Sequence, residues 1–432
     1  MSRAAETVRK LAPGGAWFDI YESGGESFSI RYANSRFHSV TLKENSGTGV
    51  RINLNGKTGF SYSNSPGGIE TAAALAVENS KYGDTESFQL PGPCAAAFEP
   101  YNSSGPGREQ AQLMTEAEEL ISAIRTGYPA VSVDVSVSRA EGISRLTNSS
   151  GFDSSYRNSV FSASSGVTMV MADDSKLDVY ESFASIKRQP LKRMGERLLQ
   201  YLEWGSRTHQ CRGGSLPVIF TPRAFSQLLS VLLSGLNGKP VHRGISPFAG
   251  RLGEQLFSER FSLINNPLLP ESPYSYPFDD EGVPASAFPL IEKGVVKNFY
   301  VDLKHAALLN IKPTGGASRG YSSLPGPSLS NLSVQPGSSP LADMMKETPY
   351  GILADRFIGF GQTNTLEGEF TANMGLAFCV ENGEVTGRVK NAMISGNVFE
   401  LLKGESVFSI ETETTGSMIL PWVLFPSVAV AV

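Results

Sequence analysis

Four histidines and three cysteines are all the imidazole and thiol that this chain of 432 residues can offer a metal ion or a covalent intermediate. His38, His209, His242 and His305 never fall three or four residues apart, so no helix face brings two of them to one ion. His209 and Cys211 stand two apart beside Gly213-Gly214, a spacing that can chelate. No second pair is visible, and the segment reads as an exposed loop. His242, next to Arg243, reads as structural. Cys94, Cys211 and Cys379 are widely separated without a CxxC, which signals neither a disulfide framework nor a thiolate zinc site and points to a reducing compartment. Cys94 lies in an Ala-rich, Pro-flanked loop with no histidine nearby, and no GxSxG elbow is present.

Carboxylates are denser. Asp279, Asp280 and Glu281 crowd together before Gly282, a cluster that can bind a cation or raise a pKa. The better reading is an acidic turn whose Asp side chains accept backbone N–H bonds. Lys187, Arg188, Lys192, Arg193 and Arg197 form the one basic cluster, read as the solvated face of a helix start.

A net charge of −5 gives no global attraction to phosphate, so no nucleic-acid partner is expected. The N-terminus shows no basic stretch followed by an apolar one, which predicts a cytoplasmic protein. The apolar tail SMILPWVLFPSVAVAV is too short to span a membrane and carries Pro421 and Pro426; it reads as a buried terminal strand pair.

The elements that must position these residues are mostly strands. From Trp17 to Ser63 the period is two, and Gly-Gly, Asn-Ser and Ser-Gly breakers divide it into four antiparallel strands, with an Asn55-Gly56 turn near the end. An Ala-rich helix follows Pro66 and stops at Gly83. Asp84 to Arg108 is rich in Pro, Gly and Ser and reads as a long surface loop. Met114, Ala117, Ile121 and Ile124 then predict a helix over Gln112 to Thr126 with one buried face. Ala130 to Ile186 returns to period two, and a helix runs from Pro190 to about Trp204. Beyond the strand Pro217-Val218-Ile219-Phe220 lies the segment Arg223 to Leu236, then mainly strands, with short exceptions at Leu303 to Leu309 and Leu341 to Glu347. The expected fold class is α+β. An N-terminal domain (1–210), of two lobes (1–83 and 112–210) joined by the loop, precedes a mainly β domain (211–432).

One stretch sets the family. Gly253 to Leu309 orders an apolar alternation, a Pro/Ser loop, the acidic turn FDDEGVP and a hairpin around Glu292-Lys293-Gly294. Pro313 to Gly320 (PTGGASRG), Glu381 to Val385 (ENGEV) and Ile394 to Asn397 (ISGN) follow it, and Ser46 to Ile52 (SGTGVRI) precedes it. In this order the motifs resemble the TldD/PmbA family, bacterial and archaeal peptidases also described as modulators of DNA gyrase. The resemblance covers nearly the whole chain and is densest from Gly253 to Asn397.

Peptide-cleaving members of that family carry HExxxH on the helix after the PVIF-like strand, where two histidines share zinc and the Glu polarises its water. Here the helix reads FSQLLSVLLSGLNGKP, and Ser230, Val231 and Gly235 stand at those positions. The family's C-terminal Cys turn corresponds to IETETTGSMILP, which has Glu411 and Glu413 and no Cys. The resemblance therefore implies a PmbA/TldE-like member with no catalytic residues and no metal of its own, zinc being expected in a TldD-like catalytic partner. Unfolded peptide would bind in the shared cavity as an added strand. Motifs shared by both kinds of member suggest Asp280, Glu281, Gly282, Arg319 and Asn331 as peptide-binding residues, with Arg319 able to meet a peptide carboxylate. Two other readings stand beside this one. The chain could be a homodimeric peptide-binding or scaffolding protein, or a peptidase with unusual ligands such as His209, Cys211 or His242.

Overall fold

The computed structural model describes residues 3–12, 14–65, 67–95, 98–102, 110–360 and 364–432. Helix α1 (Arg3–Leu11), unforeseen in the sequence, leads into strands β1 (Trp17–Ala33), β2 (Arg36–Leu54) and β3 (Lys57–Ser63). Helices α2 (Ile69–Ser80) and α3 (Gln110–Gly127), strands β4 (Ser132–Asn148), β5 (Asp153–Val170) and β6 (Lys176–Ser185), and helix α4 (Lys192–Gly205) complete the first half. The six strands form one antiparallel sheet in the order β3-β2-β1-β4-β5-β6. The two expected lobes thus share a single sheet, because β1 pairs with β4 from Asp19 to Tyr32.

Two of the expected breakers do not break. β1 runs straight through Gly24-Gly25 and β2 through Ser46-Gly47, so the four predicted strands are three. At Gly25 a Cβ would collide with the Glu141 carbonyl oxygen, so glycine there admits the neighbouring backbone and does not end the strand. The turns fall at Asn34-Ser35 and Asn55-Gly56, all four with positive φ, where Asn and Gly tolerate the left-handed region. At one end of the sheet Phe18, Ile20, Val50 and Ile52 pack on Ala72, Ala73 and Ala76 of α2 and on Val8 of α1. At the other, Phe28, Ile30, Val133, Val135 and Phe161 pack on Leu120 and Ile124 of α3 and Leu198 of α4. Of the expected loop over Asp84 to Arg108, the described residues hold no helix and no strand longer than a bridge. Arg108 itself, like Pro66, lies outside the described residues.

The second half starts with β7 (Thr208–His209), β8 (Gly214–Phe220), α5 (Pro222–Leu236) and α6 (Gly238–His242). It continues through β9 (Leu263–Asn265), β10 (Phe288–Glu292), β11 (Val295–Val296), α7 (Leu303–Leu309), β12 (Ala317–Ser318), β13 (Gly326–Pro327), β14 (Leu332–Val334) and α8 (Leu341–Lys346). It ends with β15 (Tyr350–Ile358), β16 (Glu369–Glu381), β17 (Glu384–Val389), β18 (Met393–Asn397), α9 (Val398–Lys403), β19 (Val407–Thr415) and β20 (Met418–Ala431). All but β12 and β13 join one 12-stranded sheet, whose path runs β11-β10-β9-β14-β20-β8-β15-β16-β17-β7, with β18 and β19 on β20.

The apolar tail is a single strand, not a pair. β20 tolerates Pro426 because its register against β8 shifts between Phe425 and Val428. The central strands are buried on both faces, and period two shows it. Val218 and Phe220 of β8 join α5 in one core, while Ile219 joins Val135, Tyr201 and Trp422 in the other. The second core therefore contains both halves of the chain, with the first sheet and α4 against the back of the second sheet. No helix among the described residues is long and apolar enough to cross a membrane.

Candidate functional site

Helix α5 starts cleanly. Thr221 caps it, its hydroxyl oxygen accepting from the Ala224 N–H at 3.2 Å, and Pro222 occupies the first helical position, where a missing N–H costs nothing. Nearly every side chain along it is buried: Ala224, Phe225, Leu228, Leu229, Leu232 and Leu236 are at 0 % exposure. Ser230 is exposed, and its hydroxyl donates to the Gln227 carbonyl at 2.6 Å. Val231 is buried, and at Gly235 a Cβ would meet the Phe248 ring at 2.7 Å. The Phe248 ring is itself wedged against Phe257 and Phe399, so it has little room to give.

The five residues expected to bind peptide separate into two places. Glu281 and Arg319 are buried in an ionic network with two residues that sequence reading did not single out, Asp19 of β1 and Arg51 of β2. Arg51 pairs with Asp19 and, at 2.8 Å, with Glu281; Arg319 pairs with Asp19 at 2.9 Å. The guanidinium of Arg51 sits 5.4 Å from the ring centroids of Trp17 and Phe88, and that of Arg319 4.9 Å from Tyr21. Glu281 also accepts the Leu303 N–H at 2.7 Å, in the first turn of α7. Asp279 accepts from the N–H groups of Glu281, Val283 and Ala317, and Asp280 from that of Arg319. Gly282, at φ 88°, makes the turn. Burial pushes the Asp280 and Glu281 carboxyls upward, more than Arg319 and Arg51 pull them down. As placed, Glu281 and the Arg319 side chain present no open face to a peptide; they hold the FDDEG turn and the SRG segment against the first sheet. The signal that could have found Asp19 and Arg51 was a charge at an inward position of an alternating strand.

Asn331 lies elsewhere, on the wall of a cleft of about 560 Å³ between the two halves. Its side chain donates to Asn266, Ser275 and Ser330 and accepts from Ser272 at 2.5 Å, which fixes the loop carrying Tyr274. Arg193 and Arg197 of α4, Pro270 to Tyr274, and Thr412 to Thr414 of β19 line the rest. This cleft holds the segment corresponding to the family's Cys turn. Two hollows of about 690 and 850 Å³ over Gly24-Gly25 and Gly142 are roomier, but both are floored by the polar backbone of the long sheet.

A chain of charges links the cleft to α5. Glu413 pairs with Arg197 at 2.5 Å, Arg197 and Arg223 both hold Glu181, and Arg223 reaches Asp355 at 3.0 Å. Asp355 also accepts from Tyr201 and from the capping Thr221. Much of the basic cluster is spent on carboxylates: Lys187 on Glu271, Arg188 on Glu116, and Arg197 as above.

The histidines and cysteines fall out differently from expectation. His242 and His305 come together, ring centroids 6.4 Å apart, and His305 is held by Asp302, the cap of α7. His209 and Cys211 are not an exposed loop: Cys211 is buried and His209 is part of β7. Among the described residues one group of three has ligand atoms close enough together for an ion, His209, Cys379 and Glu381.

Comparison with known proteins agrees with this architecture. The family described as PmbA/TldA metallopeptidase C-terminal domain matches residues 213–432, and PmbA/TldA metallopeptidase domain 1 matches residues 18–80. An uncharacterised protein of Methanocaldococcus jannaschii is 28% identical over 88% of this chain and 88% of its own length. A metalloprotease of Methanothermobacter thermautotrophicus is 25% identical over 89% of this chain and 86% of its own. Among solved structures, TldE from Thermococcus kodakarensis superposes with a TM-score of 0.89 at 22% identity, covering 99% of this chain and 100% of that one. A Thermotoga maritima protein described as a modulator of a DNA gyrase superposes at 0.88 with 24% identity, covering 99% and 98%.

Proposed function

Because this chain belongs to the PmbA/TldD metallopeptidase family, we propose that it is the subunit of a two-subunit peptidase that lacks the catalytic metal, enclosing and binding unfolded peptide for a zinc-bearing partner to cut. The observation that carries the reading is α5. Where catalytic relatives place two histidines and a glutamate, this helix has Ser230, Val231 and Gly235, and the Phe248 ring fills the space a side chain at 235 would need. A helix so buried persists as packing, each Leu contributing about 1.5–3 kcal/mol, whether or not it holds an ion.

The cleft is the place for the peptide. It borders β19, which is bridged by Ser339 at Ser409 but, among the described residues, has β20 as its one strand partner over Thr412 to Thr415, so an extended peptide would add along those four residues with Arg193 and Tyr274 on the opposite wall. The test is co-expression with a family member that has HExxxH intact. Co-purification, with chelator-sensitive peptidase activity appearing only when both chains are present, is the expected result. Peptide hydrolysis by this chain alone, abolished by EDTA, would overturn the reading.

A further inference from the structure

The pairing of β17 between β7 and β16 brings together groups that no sequence spacing joins. β7 lies parallel to β17, with His209 opposite Val389, and β17 lies antiparallel to β16, with Cys379 opposite Gly387. Cys379 and Glu381 are two apart on one strand, just as His209 and Cys211 are on the entering segment. The missing second pair is thus supplied by the sheet. The ligand atoms of His209, Cys379 and Glu381 all lie within 4.8 Å of one another. We propose that these three side chains form a site for a borderline divalent cation of the zinc class, with water in the fourth position, that staples β7 to β16.

Donor chemistry and geometry both point there. Imidazole, thiolate and carboxylate together suit zinc and its neighbours, and poorly suit magnesium or calcium, which take oxygen ligands. Zinc bonds of about 2.0–2.3 Å at tetrahedral angles separate donor atoms by roughly 3.3–3.6 Å, and His209 Nε2 already stands 3.6 Å from Glu381 Oε1. The imidazole is oriented for the task. The Thr386 hydroxyl donates its one proton to the Cys379 carbonyl at 3.4 Å, which leaves its oxygen to accept from His209 Nδ1 at 3.2 Å. In that tautomer Nε2, which stands beside Glu381, carries the lone pair. Cys379 is fully buried, while His209 and Glu381 are 25% and 38% exposed, so the site is reachable from solvent on their side. The Tyr350 hydroxyl, 3.6 Å from the Cys211 sulfur, holds that second thiol in the surrounding layer and outside the ligand set. The three proposed ligands sit on β7 and β16, whereas Ser230, Val231 and Gly235 sit on α5.

Cobalt is the probe. The full-length chain, reduced and stripped with chelator, is titrated with Co²⁺; one equivalent is expected to produce a thiolate-to-cobalt charge-transfer band and tetrahedral visible bands, both bleached by one equivalent of Zn²⁺. Zn²⁺ is also expected to raise the thermal midpoint. Cys379→Ser should abolish the charge-transfer band and Cys211→Ser should keep it; Thr386→Val should weaken binding about tenfold or more. His209→Asn, at a part-exposed position, tests the site even if Cys379→Ser fails to fold, and should abolish one-to-one binding. Absence of any cobalt spectrum, or a charge-transfer band that survives Cys379→Ser or binding that survives His209→Asn, overturns the proposal. In that event His209 and Glu381 make only a part-exposed polar contact. Metal binding that fails leaves the co-expression result untouched, and the reverse holds equally.

Discussion

Burial alone would raise the carboxyl of Asp19, but Arg319 and Arg51 outweigh it and hold Asp19 below its usual value. A lowered folded-state pKa contributes stability that is present above the unfolded value, about 3.9, and is lost as pH falls through the folded one. Asp19→Asn should therefore be less stable than the natural chain at neutral pH, and the gap should close in acid; urea unfolding across that range reads it. Glu281 has the opposite sign. Its carboxyl is raised by burial, so its contribution is fully present below the usual glutamate value and is lost as pH rises through the folded one. Arg51→Met removes the cation that both acids share, leaving the buried Glu281 carboxylate uncompensated and Asp19 with Arg319 alone. A loss of about 3–5 kcal/mol is expected from denaturant unfolding, and a loss under about 1 kcal/mol would mean that the network is solvated, as exposed pairs are.

Helix α5 makes a prediction whose sign separates packing from propensity. Alanine is the better helix former by about 1 kcal/mol, so Gly235→Ala should stabilise the chain if only the backbone mattered. With the Phe248 ring 2.7 Å from the new Cβ and pinned by Phe257 and Phe399, it should instead destabilise by about 1–3 kcal/mol. Phe248→Leu should recover part of that loss in the double variant, a coupling that a thermal-unfolding cycle measures. The long strands teach a related lesson. Period two in β1, β2, β4 and β5 was plain in the sequence, but Gly24-Gly25 and Ser46-Gly47 read as breaks when Gly25 admits the backbone of β4 and Gly47 admits the Tyr321 ring.

At the scale of the molecule, one core joins both halves. Ile219, Leu353, Leu376, Phe378 and Trp422 of the second sheet pack with Val133, Val135 and Leu198 of the first half, and Tyr201 stacks 5.9 Å from Phe378. Unfolding should accordingly be a single transition, with circular dichroism and the fluorescence of Trp17, Trp204 and Trp422 coinciding. Residues 213–432 produced alone should expose that face of the sheet, bind hydrophobic dye and lose a sharp transition. Two separated transitions in the full chain would show that the shared core carries little of the stability.

By itself the sequence determined the local matters: the α+β class, the turns at Asn55-Gly56 and Lys293-Gly294, the buried face of α3 and the approximate span of α4. Each follows from periodicity or residue type within a few positions, where backbone geometry alone decides the outcome. Only the tertiary structure decided that Glu281 and Arg319 meet Asp19 and Arg51 in a dry network, that Asn331 and Glu413 wall one cleft, and that His209 meets Cys379 and Glu381. Those neighbours come from strands paired across hundreds of residues, and which strand lies beside which is settled by burying two sheets against each other and against α5, a condition on the whole chain that no spacing within it records.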